Sequence, residues 1–252
     1  MTALRGERIV PFSSMFNFRD LGGYRVRDGR TVVWRRLFRA DSLANLAPED
    51  AAAFTALRIR TVIDLRRAAE LAADGRVPDA ARLTYVNLQP MHQGLGWETY
   101  DPAAGVARFL ADRYLSMAQV STAEFGAALR LIADPGRAPL VMHCHGGRDR
   151  TGVLAALTLA LLGVPDEQIE HDYALSEEGE RRYNGWHRLA MPTAPLPAPH
   201  LVATPREAMC LFLTGMRARF GSVEAYADGA GVTSQVIERL RDGLLTGQSL
   251  SA

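Results

Sequence analysis

The sequence contains no lysine; all 29 basic residues among its 252 are arginine. Lysine Schiff bases and lysine general bases are thereby excluded, while planar, bidentate recognition of oxyanions is well supplied. Cysteine is scarce as well. Cys144 and Cys210 are too few for a disulfide framework or a four-thiolate zinc site. No charge of one sign dominates, because 28 acidic residues leave a formal net charge of +1. That balance offers no global attraction to nucleic acid or to an anionic membrane. Long apolar runs are missing too. The longest, Val153 to Val164, is too short to cross a bilayer and reads as a buried helix. The opening MTALRGERIVPFSS lacks the apolar core of a secretory signal, so the expected location is the cytoplasm, with export by a non-classical route left open.

What is present is ordinary for a folded domain: 48% hydrophobic and 23% charged residues. The length suits one α/β domain with a decorated C-terminal third. Residues 24–33 alternate around Asp28-Gly29 and predict a hairpin. Arg36 to Ala40, Arg60 to Arg66, Leu83 to Leu88 and Pro139 to His143 read as strands. Helices are predicted from Pro48, over AELAADG before Gly75, near 103–118 and 121–133, over VLAALTLALLG, from Pro165, and over about 205–220 and 233–245. Met191 to Pro205 holds five of the thirteen prolines and reads as an extended loop or hinge. The expected fold class is a single α/β domain with a mixed central sheet, helices on both faces and a helical C-terminal elaboration.

The informative segment follows the strand that ends at His143. In His143-Cys144-His145-Gly146-Gly147-Arg148-Asp149-Arg150-Thr151 a Cys closes a strand and an Arg stands six residues later, at the start of a helix. Five intervening residues suffice to wrap the backbone around one tetrahedral anion, with amide N–H groups inward and the positive end of the helix dipole beneath. Gly146 and Gly147 permit the required backbone conformations. Arg150 can set its planar fork on two phosphate oxygens. The same field favours the thiolate of Cys144, placed to attack phosphorus and form a cysteinyl-phosphate. A nearby acid must then protonate the leaving oxygen. Other readings of the loop are a metal site using the HCH triplet, a structural buried Cys, and a sulfur-transfer loop. His143 and His145 flank Cys144 too closely to converge with it on one ion, and the pairing of Arg150 with Thr151 suits phosphate better than sulfur transfer.

HCHGGRDRTG resembles the HCxxGxDRTG loop of the bacterial tyrosine-phosphatase-like family, which includes dual protein and lipid phosphatases. NFRDLGG (Asn17 to Gly23), FRADSL (Phe38 to Leu43), IDLR (Ile63 to Arg66), DYALS (Asp172 to Ser176) and the closing SVEAYADGAGVT…IERLRDGLL are similar to further family segments and occur in the same order. The resemblance spans nearly the whole chain and implies one tyrosine-phosphatase-like catalytic domain over residues 1–252. It implies Cys144 as nucleophile, Arg150 as phosphate clamp, Asp149 as general acid, and Asp64 as a second candidate for acid or for orienting the loop. His145, Gly146, Gly147, Arg148, Asp149, Arg150 and Thr151 would bind phosphate. No WPD tripeptide occurs, which makes Asp149 the first choice of acid. No metal and no organic cofactor is implied. The implied partners are phosphotyrosine proteins, with phosphoserine, phosphothreonine or phosphoinositide substrates as further options and inorganic phosphate as product. Neither nucleic acid nor an integral membrane segment is expected. Arg148 stands where the family usually has Lys, and Gly146 where it often has Ala. A phosphate-binding pseudophosphatase or regulatory module is the alternative from another functional class.

Elsewhere, Arg19 with Asp20 and Arg39 with Asp41 read as local ion pairs or loop braces. Arg66 reads equally as a substrate contact or as support. His92, His187 and His200 read as loop histidines, and Trp97 and Tyr100 as loop anchors or pocket-mouth residues. Cys210 is expected in the core. About 176–205, with Arg181, Arg182, Tyr183 and Trp186, is either a helical lid over the loop or an extended connection.

Overall fold

Leu140-Val141-Met142-His143 is apolar on both faces and buried throughout, which is what a central strand needs. It forms β5 (Leu140–His143), the middle of a five-stranded sheet in the order β1-β2-β5-β3-β4. The computed structural model describes residues 8–78, 82–91, 100–190, 193 and 198–247. β2 (Leu37–Ala40) and β3 (Thr61–Asp64) flank β5 in parallel, and β4 (Thr84–Asn87) extends β3 in parallel. β1 (Arg19–Asp20) pairs antiparallel with β2, so the sheet is mixed as expected. The register sets Ala40, His143 and Asp64 side by side at the C-terminal ends of three parallel strands. Ligand crevices of open α/β sheets lie at that edge, and three of the sequence motifs meet there.

Alternation along the strands divides the core in two. Leu37, Ile63, Leu140 and Met142 face a large cluster built mainly by helices, while Phe38, Ala40, Val62 and Val141 face a smaller cluster with Phe12, Met15, Phe18 and Phe54. α1 (Ala51–Ala56) contributes Phe54 to the small side. α2 (Ala68–Asp74) follows β3 and ends at Gly75, whose φ is 76°. On the large side stand α3 (Val106–Val120), α4 (Thr122–Ile132) and α5 (Asp149–Leu162). Eleven of the fourteen residues of α5 are buried. It stops at Gly163 in the left-handed region, the usual helix-ending conformation.

α6 (Asp166–Ala174) leads into α7 (Ser176–Ala190), then α8 (Pro199–Val202), α9 (Arg206–Phe220), α10 (Val223–Gly229) and α11 (Ser234–Leu244). α9 lies along α3 and α6 and inserts Ala208, Met209, Phe212, Leu213 and Met216. Cys210 falls on the opposite face and is exposed, contrary to the expected core position.

The structure adds to the sequence reading at three other places. Residues 24–33 form the expected hairpin around Gly29, with Val26 N donating to Arg30 O (2.9 Å), Val32 N to Tyr24 O (2.8 Å) and an Arg25–Thr31 bridge, and its returning arm also pairs with Leu244 and Leu245 at the far end of the chain. β1 carries no apolar alternation. Its Arg19 is buried because a carboxylate from α6 compensates it. Ser176 to Ala190 is a helix rather than an extended connection, and the Pro-rich stretch contains α8, opened by Pro199 where a missing N–H costs nothing.

Candidate active site

β5 delivers Cys144 to the sheet edge, and α5 begins five residues later with Asp149 and Arg150 in its first turn. The turn between them exposes its amides because its carbonyls are occupied elsewhere. His143 O accepts from Leu65 N (2.7 Å), His145 O from Ser42 N (2.9 Å) and Arg148 O from Gly152 N (2.8 Å). Cys144 O accepts from His143 Nδ1 (3.2 Å), Gly146 O from Asn17 Nδ2 (2.9 Å) and Gly147 O from Arg39 Nη2 (2.7 Å). All six carbonyls from 143 to 148 are therefore tied outward. Among the described residues the N–H groups of 145 to 150 find no acceptor. Unpaired amides gathered at a helix N-terminus make an anion cradle. Gly147 has φ 67°, and a Cβ there would lie 2.4 Å from Ala40 O, so only glycine fits. Gly146 has open space around its Cβ position.

The anchors come from motifs far apart in sequence. Asp172 on α6 accepts from Arg19 Nε (3.1 Å), Arg39 Nη1 (2.5 Å) and Tyr24 Oη (3.0 Å), all buried. The two guanidiniums hold its carboxyl well below the usual range in spite of burial, which acts the other way. Arg39 thus grips Asp172 with one nitrogen and the loop carbonyl of Gly147 with another. Neither expected neighbour pair forms. Asp20 instead accepts from Gly22 N and Arg35 N, and Asp41 from Phe16 N and Asn17 N. Burial pushes Asp41 up to about 6, against those two amides.

Cys144, His145, Gly146, Arg148, Asp149 and Arg150 line one cavity of about 340 Å³, together with Asp41, Glu70, Glu180 and Tyr183. Arg150 is held from behind by Glu70, Nη1 to Oε2 at 2.6 Å and Nη2 to Oε1 at 2.8 Å, and also donates to Leu65 O. Burial alone would raise the Glu70 carboxyl, but Arg150 and the Arg67 N–H bring it down to about 2. Glu70 was not singled out by sequence reasoning. The available signal was an acid in the first turn of the helix that leaves the IDLR strand, at the same sheet edge as the loop.

Asp149 accepts from Tyr114 Oη (2.6 Å) on Oδ1 and from Arg148 Nη2 (3.0 Å) on Oδ2. Burial raises its carboxyl, yet Arg148 and Tyr114 outweigh that and leave it below its ordinary range. Arg148 also donates to Leu201 O of α8 (2.7 Å), and α8 sets Leu201 and Val202 at the cavity. α7 presents Ser176, Gly179, Glu180 and Tyr183, one helical face by their spacing.

Two expected site residues, Asp64 and Thr151, stand elsewhere. Asp64 is fully buried beneath the loop, paired to Arg66 (2.7 Å) and accepting from Tyr85 Oη (2.5 Å). It does not line the cavity, so the acid role gives way to its other expectation, support of the loop. His143 lies 3.5 Å from Asp64, but burial pulls its imidazole down to about 4, so it is neutral. Thr151 is wholly buried in α5 and reaches no cavity wall. Gly147 contributes backbone geometry rather than wall. His145 contributes backbone, while its ring points outward, 64% exposed and 3.6 Å from Asp74.

Arg66 is support, bonded to Asp64, Ser42 and Gly75 O. His200 stacks on Tyr100, and the buried His187 packs beside Tyr183. Arg182 donates to Phe12 O and Phe16 O, and Arg181 pairs with Glu178. His92 and Trp97 lie outside the described residues. No three metal-ligating side chains converge among the described residues, and no described helix is long and apolar enough to cross a membrane.

Comparison with known proteins places these motifs in company. Residues 10–246 match a family model described as the tyrosine phosphatase family. A tyrosine-protein phosphatase of Nostoc commune is 28% identical over 219 residues, covering 81% of this chain and 72% of the relative. The triple specificity protein phosphatase PtpB of Mycobacterium tuberculosis is 25% identical, covering 91% of this chain and 96% of the relative. Among solved structures, TpbA of P. aeruginosa aligns over 65% of this chain and 91% of its own, at 17% identity and a TM-score of 0.30.

Proposed function

The chain belongs to the tyrosine phosphatase family, and from that premise we propose that it hydrolyses phosphotyrosine in proteins through a cysteinyl-phosphate on Cys144. The observation that carries this reading is the set of six outward-tied carbonyls, which turns the 145–150 amides toward a cavity shared by Cys144 and Arg150.

A phosphate dianion in the cradle accepts from those amides and from Arg150. The charge on its equatorial oxygens in the transition state meets donors already in place, so little reorganisation is needed. Glu70 fixes the Arg150 fork before substrate arrives. The Cys144 sulfur attacks phosphorus, an S–P bond forms, and the P–O bond to the tyrosine oxygen breaks. Asp149 gives that oxygen its proton. Water then attacks the thiophosphate, with the Asp149 carboxylate taking its proton, and inorganic phosphate leaves. Asp149 is the wall carboxyl nearest in sequence to Arg150, but its bonds to Arg148 and Tyr114 favour the ionised form. The proton is consequently most available toward acidic pH.

Aromatic walls from Phe16 and Tyr183 and aliphatic ones from Leu201 and Val202 suit an aryl ester. Phosphoserine, phosphothreonine and phosphoinositides are secondary substrates in this reading, supported by the triple specificity for which the Mycobacterium tuberculosis relative is named. α7 and α8 serve as a lid whose contacts include Arg148 to Leu201 O, Arg182 to Phe16 O and Phe16 to Tyr183. A reducing cytoplasm fits a nucleophilic thiol with no disulfide among the described residues.

Wild type should turn over p-nitrophenyl phosphate without added metal, trap a phosphocysteine on acid quench, and lose turnover but not phosphate binding in Cys144→Ser. Phosphate binding by a wild type without turnover would overturn the enzyme reading in favour of a phosphate-binding module.

A further inference from the structure

The charges lining the cavity are unevenly compensated. Arg150 is matched by Glu70 and Arg148 by Asp149. Arg148 is additionally spent on Leu201 O, and its side chain is only 12% exposed. Asp41 has two amide donors. Glu180 has no hydrogen bond or ion pair with any described residue, although it is half-buried and faces the same cavity as Cys144. Burial pushes its carboxyl up, Arg148 counters, and Asp41 adds to the rise, so both charges lie within its reach.

An unpartnered carboxylate beside an anion cradle weakens the binding of every anion. Such a group earns its place through discrimination, since specificity is a difference of affinities and repulsion is one way to create it. A single phosphate seated in the amides is shielded from Glu180 by six N–H dipoles and Arg150. Among the described residues that line the cavity, both guanidiniums already have carboxylate partners when a second anionic group reaches the mouth. It faces Glu180 and Asp41 between the aromatic walls of Phe16 and Tyr183. A cation at that level would instead complete the missing ion pair.

We propose that Glu180, on the cavity face of α7, is a specificity residue that selects phosphotyrosine flanked by a basic residue and disfavours substrates carrying a second anionic group near the reacting phosphate. This rests on the phosphatase reading above and deepens it. It is supported by the positions of Arg148 and Arg150, the two cavity-lining arginines, each already paired with a carboxylate.

Opposite charges about 7 Å apart at an effective dielectric of ~40 bias an equilibrium roughly tenfold. The test uses two phosphotyrosyl peptides that differ only in having Arg or Glu on each side of the phosphotyrosine. kcat/KM is measured for wild type, Glu180→Gln and Glu180→Arg. Kd is measured by calorimetry for the same three side chains in the Cys144→Ser background. Attraction of Arg and repulsion of Glu compound, so the expected ratio of basic to acidic peptide is on the order of fifty-fold with Glu180, falls toward one with Gln, and inverts with Arg. A short-chain phosphoinositide bisphosphate should gain relative to the basic peptide in Glu180→Arg. Ratios that are equal in all three proteins, or an acidic preference with Glu180 present, overturn the proposal. Absence of turnover with the binding ratios intact would instead defeat the phosphatase reading and leave the selectivity standing.

Discussion

Asp172→Asn tests whether the loop is held by the buried charge network rather than by its own sequence. The substitution preserves shape and one acceptor oxygen but removes the carboxylate that Arg19 and Arg39 share, at 3.1 and 2.5 Å. All three side chains are no more than 2% exposed, so water cannot take over. Removing one partner of a buried pair costs about 3–5 kcal/mol, because the remaining charge is left uncompensated. Here two guanidiniums are left facing each other. In a domain of this size ~3–5 kcal/mol corresponds to a fall in Tm of roughly 6–20 °C.

The same substitution should act on catalysis, since Arg39 also holds the carbonyl of Gly147. Thermal unfolding by calorimetry and kcat/KM on an aryl phosphate, measured well below Tm, separate the two effects. The sign with pH follows from the depressed carboxyl. Its contribution is fully present above the unfolded value of about 4 and is lost as pH falls through the lower folded one. Asp172→Asn should therefore lack part of the acid-side loss of stability seen in wild type. An Asp172→Asn protein that melts within about 2 °C of wild type, with kcat/KM unchanged, would refute the bracing argument.

Glu70→Gln removes the charge that orients Arg150, and kcat/KM should drop about 10–100-fold while Tm moves little; vanadate affinity, measured by competition, should fall in parallel. Gly147→Ala meets Ala40 O at 2.4 Å with φ 67°, so a loss of about 3 kcal/mol or more and inactive protein are expected. Gly146→Ala meets nothing within 4 Å and should stay within about 0.5 kcal/mol of wild type by urea titration. For Asp149, held below its ordinary range, the protonated fraction falls as pH rises. kcat on alkyl phosphates, whose leaving groups need the proton, should decline from pH 5 to 8 and lose that decline in Asp149→Ala. Parallel profiles for the two proteins would remove Asp149 from the acid role.

The sequence alone determined what local rules govern. Apolar runs bounded by turn residues marked Leu140–His143 and Thr61–Asp64 as strands, and the 153–162 segment, apolar but for Thr158, marked the buried part of α5. Cys144 and Arg150 were legible because a strand end, two glycines and a helix start within ten residues already constrain the backbone to curl around an anion. Tertiary structure decided the partners. Glu70 lies 80 residues from Arg150, and Asp172 lies 133 from Arg39. Nothing in one-dimensional spacing joins an arginine to a distant carboxylate, so the adjacent Asp20 and Asp41 looked like the natural mates. Asp64 moved from candidate acid to buried support for the same reason. A carboxylate at a strand end can face the cavity or turn beneath it, and the choice was made by Arg66 and Tyr85 closing around it out of reach of water.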